Sequence, residues 1–260
     1  MPIKLKNLLI VVLFLALSYG VIQISIVLPR PSFMSPYLLW GLVVSIVVWF
    51  MTQVFLKVEN KQLADYGLKR KHHFLVDTVL GFVLGVALLC VMFGILFTST
   101  HLYAQPLDSH TFLSFAMASV PVLFALALME ELIFRGYVLF KLKDTIGVRW
   151  SIYLTAVIFG LYHGLSFDAA FGPAIFGLIF GLMALWSKGL VLPVVFHFTI
   201  NWIQAFFNMK TKYTNGMFEL LLDEELKTPH ADTVGMIIHV AMAIIAIILI
   251  EIFIRKSPKT

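Results

Sequence analysis

The sequence predicts an all-α polytopic membrane protein of about eight transmembrane helices. Three observations carry this. Of 260 residues, 60% are hydrophobic and only 13% charged, whereas soluble domains run at roughly 45–50% and about 25%. The apolar residues gather in eight runs, most of them near the roughly 17–25 residues that cross a bilayer. Lysine and arginine concentrate in alternate connections, the asymmetry that orients helices in a membrane.

The first run, 7–28, follows a short basic start with Lys4 and Lys6. It exceeds the roughly 7–15 residues of a signal-peptide core and no A-x-A site follows, so a retained anchor helix is expected. Pro29, Pro31 and Pro36 separate it from the second run, 36–57; the third is 74–98. The fourth, 111–140, is long and the fifth, 150–166, short, with Gly147 as the breaker between them. Runs 168–187, 189–208 and 234–254 complete the set. Gly177 and Gly181, in GLIFG, give the sixth a close-packing face for a neighbouring helix rather than a phosphate cradle.

Connection charges support the count. Lys57, Lys61, Lys69, Arg70 and Lys71 follow the second run; Lys141, Lys143 and Arg149 flank the break after the fourth. Lys188 follows the sixth, and Arg255, Lys256 and Lys259 the eighth. The intervening connections hold Arg30 alone, then no lysine or arginine, then none again in GLSFDAAFG. The last, 209–233, sets Lys210, Lys212 and Lys227 against Glu219, Asp223, Glu224, Glu225 and Asp232. Both termini are therefore expected on the cytoplasmic side of a cell membrane. The net charge of +5 reflects this orientation, and with no basic stripe to meet a phosphate ladder, nucleic acid is excluded as a partner. The single cysteine, Cys90, excludes an internal disulfide and a Cys-rich metal site, and is expected as an inert packing residue.

Three polar clusters interrupt these runs: Glu130, Glu131 and Arg135 in MEELIFRGY, His163 in IFGLYHG, and His197 with Asn201 in VVFHFTINW. An ionised group at the bilayer centre costs on the order of 2.5–3.5 kcal/mol on insertion scales, so such residues mark a functional site by default. At about 1.5 Å per residue, Glu130 lies roughly 15 Å from the cytoplasmic end of its run, His163 about 20 Å into the next, and His197 and Asn201 about 12–18 Å into theirs. Three helices thus bring polar groups to one depth.

Helical spacing sorts the roles. Glu131 and Arg135 are i,i+4 with the acid first, the favourable order for an ion pair, which leaves Glu130 as the working carboxylate. A structural ion pair alone would leave that second carboxylate unexplained. His197 and Asn201 are also i,i+4 and present two hydrogen-bonding groups to one spot. Phe159, four residues before His163, is expected to pack beside the site, and His239, without a polar companion, to be structural. A carboxylate and an imidazole converging on water make a general base. A second imidazole and an amide supply donors to an oxyanion, where one donor contributes about 2.7–4 kcal/mol. This set describes amide hydrolysis without a covalent intermediate.

EExxxR at Glu130, Glu131 and Arg135, FxxxH at Phe159 and His163, and HxxxN at His197 and Asn201, in this order on successive apolar helices, resemble the CPBP family of intramembrane proteases. That family includes CAAX prenyl endopeptidases and proteins of bacteriocin self-immunity. The similarity covers roughly 111–208. It implies a four-helix catalytic core in 111–208, while the apolar runs place three N-terminal spans in 1–110 and an extracytoplasmic loop with a final span in 209–260 outside the similarity. The resemblance further implies that Glu130 and His163 activate water, that His197 and Asn201 stabilise the oxyanion, and that Glu131 and Arg135 support them. The implied partners are the lipid bilayer and a membrane-embedded or lipidated peptide. Two histidines and a carboxylate are also a familiar zinc set, but HExxH is absent and each ligand would come from a different helix, so no cofactor is expected and zinc is the rival. The alternative function is a non-proteolytic immunity or regulatory protein that uses the same cluster for binding.

Overall fold

In a computed structural model the chain is described over residues 2–29, 32, 34–66, 68, 73–107, 111–222 and 230–256. Of the charges used above to orient it, Arg30, Lys69, Arg70, Lys71, Asp223, Glu224, Glu225, Lys227 and Lys259 lie outside the described residues. Helices α1 (Ile3–Ile26), α2 (Pro36–Val58) and α3 (Phe74–Ser99) come first, followed by α4 (Phe112–Glu131). A π-helical stretch, Leu132–Val138, leads into α5 (Leu139–His163). Helices α6 (Phe167–Ser187), α7 (Val191–Phe206) and α8 (Ala231–Lys256) follow. The protein is an all-α polytopic membrane protein.

Among the described residues, six helical segments are long and apolar enough to cross a membrane. One of them, Phe112–His163, runs for 52 residues. It cannot be one crossing, because at 1.5 Å per residue it would be about 78 Å long. Gly147, at φ 85°, breaks it where the sequence places a breaker. Only 148–163 remains after the break, about 24 Å of helix, short of the roughly 30 Å hydrocarbon core. The 16-residue α7 is equally short. The eight expected runs correspond to eight rods, but two are too short to span by length alone, and the fifth ends at His163 rather than 166.

The rods approach closely where side chains are missing. A Cβ on Gly177 of α6 would lie 2.9 Å from the Cα of Ala156 on α5, and one on Gly85 of α3 would lie 2.8 Å from Thr199 on α7. Without water to drive apolar association in lipid, such backbone contact is a main source of helix cohesion. Two short strands were not expected: β1 (Leu102–Pro106) and β2 (Phe218–Leu222) pair antiparallel, from Leu102 opposite Leu222 to Pro106 opposite Phe218. They tie the connection after α3 to that before α8. Cys90, expected to pack inside, is exposed on α3; in a membrane that surface meets lipid.

Candidate active site

Glu130 and Glu131 close α4, immediately before the helix widens into its π-helical stretch. Successive helical residues point about 100° apart, so the two carboxylates leave the backbone in different directions and meet different partners. Arg135 Nη1–H donates to Glu131 Oε1 at 3.1 Å, with both side chains fully buried. Its Nη2–H donates to the carbonyl of Gly177, 3.2 Å away on α6. The guanidinium also lies over the rings of Phe159 at 4.3 Å, Phe180 at 5.2 Å and Phe134 at 5.7 Å. These faces attract a cation where water is absent.

Glu131 has a second partner that the sequence reading missed. His197 Nδ1 sits 3.0 Å from the same Oε1. Its ring stacks on Phe180 at 4.5 Å, with the planes 19° apart. Hydrogen bond and stacking together fix the ring, and Nε2 faces Glu130 Oε2 at 3.7 Å. His163 is held by another route. Its Nδ1 bonds the carbonyl of Phe159 at 2.9 Å, and its ring meets that of Phe159 edge-on at 4.7 Å. His163 Nε2 lies 3.9 Å from Glu130 Oε2.

Three rods therefore bring two imidazole nitrogens to one carboxylate oxygen. That oxygen is buried and has no hydrogen-bond partner among the described residues. Both Nδ1 atoms bond acceptors and so carry the proton in the neutral rings, which leaves each Nε2 as an acceptor. Asn201, one turn beyond His197, is half-buried and shares its helical face. Phe159 is 1% exposed and packs on both histidines. His239 Nδ1 bonds the carbonyl of Gly235, away from the cluster. Among the described residues, no three His, Cys, Asp or Glu side chains are arranged to hold a metal ion.

Above the cluster lies the turn that follows α7. Lys210 is half-buried there, and burial holds its ammonium below the ordinary lysine range, partly offset by attraction to Glu130. Burial, then the nearby Glu130 charge, pushes the Tyr213 phenol up to about 12. Neither residue was singled out in the sequence, where Lys210 reads as one charge of a mixed loop. Only the folding of that loop back over Glu130 distinguishes it.

Residues 112–203 match the family described as Type II CAAX prenyl endopeptidase Rce1-like. All six polar residues singled out above fall within that stretch. A curated relative, CAAX prenyl protease 2 of Methanococcus maripaludis, is 34% identical over a segment covering 34% of this chain and 41% of the relative. The chain thus matches about two fifths of that relative's length.

Proposed function

The chain belongs to the CPBP/CAAX protease family, and from that premise we propose that it is an intramembrane endopeptidase using glutamate-activated water. One observation carries the reading: buried Glu130 Oε2, unpartnered, with imidazole nitrogens from two other helices at 3.7 and 3.9 Å. These separations are too long for direct hydrogen bonds. A water among them would donate to Glu130 Oε2 and His163 Nε2 and accept from Nε2–H of His197 in its imidazolium form.

In this mechanism Glu130, helped by His163, takes a proton from water as the oxygen attacks the scissile carbonyl carbon. The carbonyl oxygen becomes an oxyanion. With Glu131 accepting from Nδ1–H, a protonated His197 offers Nε2–H to that oxygen, and the Asn201 amide is the second donor. Collapse breaks the C–N bond, and Glu130 returns its proton to the departing amine. Glu131 and Arg135 position His197 and do not touch the reacting atoms. The substrate is a membrane-associated peptide; prenylation of that peptide is the family's version of such an anchor.

Replacing Glu130 by Gln keeps the shape and removes the base. Cells carrying Glu130→Gln should accumulate an uncleaved membrane peptide seen by comparative peptidomics against wild type, with cleavage reduced about 10²-fold or more and expression unchanged. Cleavage at the wild-type rate would overturn the assignment. Restoration of the deletion phenotype by a Glu130/His163 double variant would favour the non-proteolytic alternative.

A further inference from the structure

The π-helical stretch Leu132–Val138 is gripped from two sides, and only one grip belongs to the cluster described above. Toward the site, Arg135 bonds Glu131 and the carbonyl of Gly177. Two residues on, Tyr137 meets a different partner. Its hydroxyl donates to Glu59 Oε1, 2.7 Å away at the C-terminal cap of α2. Lys141, in the first turn of α5, meets the same oxygen at 2.7 Å, with both charged side chains largely buried. Tyr137 and Lys141 are four residues apart and stand on either side of Val138, where the π-helix passes into α5. One carboxylate oxygen on α2 therefore clamps that junction.

Packing leaves the tyrosine little freedom. Its side chain is fully buried. The ring stacks on Phe14 of α1 at 4.6 Å, and Phe55 of α2 meets it edge-on at 5.4 Å. Tyr66, from the link after α2, lies tilted against it at 5.6 Å. This cage keeps the hydroxyl aimed at Glu59. A hydrogen bond to a carboxylate is of the stronger, charge-assisted kind, and burial spares it competition from water.

π-Helical turns are rare, so contacts from outside the helix must hold the extra residue in place. Relaxation to α-helix would remove it and turn α4, with Glu130 and Glu131, by one residue's rotation, roughly 100°, relative to α5. The bonds of Arg135 on one side and the clamp at Tyr137 on the other resist that rotation. Resting on the protease reading, we infer that Glu59 is a positioning residue for cleavage. Through the Tyr137 hydroxyl it fixes the π-helical stretch, and with it the Arg135–Glu131–His197 chain that aims an imidazole at Glu130. Glu59 touches none of the reacting atoms.

Tyr137→Phe removes the hydroxyl and leaves the rings in place; Glu59→Ala removes the acceptor. Purified full-length variants in detergent are given a synthetic copy of the peptide that accumulates in cells carrying Glu130→Gln. Both should lose kcat about 10–100-fold with KM within about twofold, the pattern of misplaced groups rather than weakened binding. Glu59→Gln, whose amide oxygen still accepts from the hydroxyl, should keep most of the wild-type kcat. Val44→Ala, a buried truncation elsewhere on α2, should lower the melting temperature without this loss. Proton NMR reads the same link without turnover: the His197 Nδ1–H resonance, assigned by its absence in His197→Gln, should move in Tyr137→Phe. That variant decides the matter if Glu59→Ala does not fold. Wild-type kcat in Tyr137→Phe, an unmoved resonance, or an equal loss of kcat in Val44→Ala would overturn the inference. A resonance that moves as expected in a protein that cleaves nothing would instead refute the protease reading.

Discussion

At the scale of single residues, the cluster is organised by Glu131, a side chain that does no proposed chemistry. One of its oxygens takes a hydrogen bond from Arg135 and faces His197, so a single carboxylate couples the guanidinium to the imidazole. Breaking a buried ion pair from one side costs about 3–5 kcal/mol, because the remaining charge is stranded. Arg135→Met should therefore lower thermal stability in detergent severely, and adding Glu131→Gln should recover much of the loss. A double variant as unstable as Arg135→Met would contradict this account. Lys210 behaves oppositely. Its pKa is lowered in the fold, so between the folded and unfolded values the folded state binds fewer protons and stability rises with pH. The cost of burying the charge is complete below the folded pKa and vanishes above the unfolded one. Lys210→Met should stabilise the protein at about pH 7, with the gain shrinking near pH 10 as free lysine loses its proton. Melting curves at the two pH values check the sign.

At the scale of elements, the π-helical stretch Leu132–Val138 begins one residue after Glu131. π-Helical turns recur at functional sites because the extra residue per turn re-aims the side chains around it. Nothing in LIFRGYV announces it. The α5–α6 contact, by contrast, follows from small residues visible in the sequence. A side chain at Gly177 meets the backbone of Ala156, which cannot swing away, and would displace the carbonyl that accepts from Arg135. Gly177→Val should lose about 1–3 kcal/mol through overpacking and lower cleavage as well. Gly94 on α3 has nothing within 4 Å, and Gly94→Ala should gain about 0.5–1 kcal/mol of helix stability. Chemical denaturation in detergent distinguishes the two, and equal effects would show that close approach is not the cause.

At the scale of the whole molecule, long helices form the outer wall while two short rods deliver the imidazoles to the carboxylate on α4. Since the proposed reaction uses only side-chain acid, imidazole and amide, cleavage should persist after dialysis against a chelator. Loss of activity that zinc restores would replace the glutamate mechanism with a metal one.

The sequence by itself determined the all-α membrane class, the helix order, the break at Gly147 and the pairing of Glu131 with Arg135. Each of these follows from local patterns: runs of apolar residues, a breaker, and i,i+4 spacing within one helix. Only the tertiary structure decided that His197 leans on Glu131, that His163 stands at a helix end, and that Lys210 folds back over Glu130. These relations join residues up to 80 positions apart, and they depend on how far each rod reaches and which face it turns inward. The β1–β2 pairing was hidden for the same reason, since its five-residue strands belong to connections more than 100 residues apart.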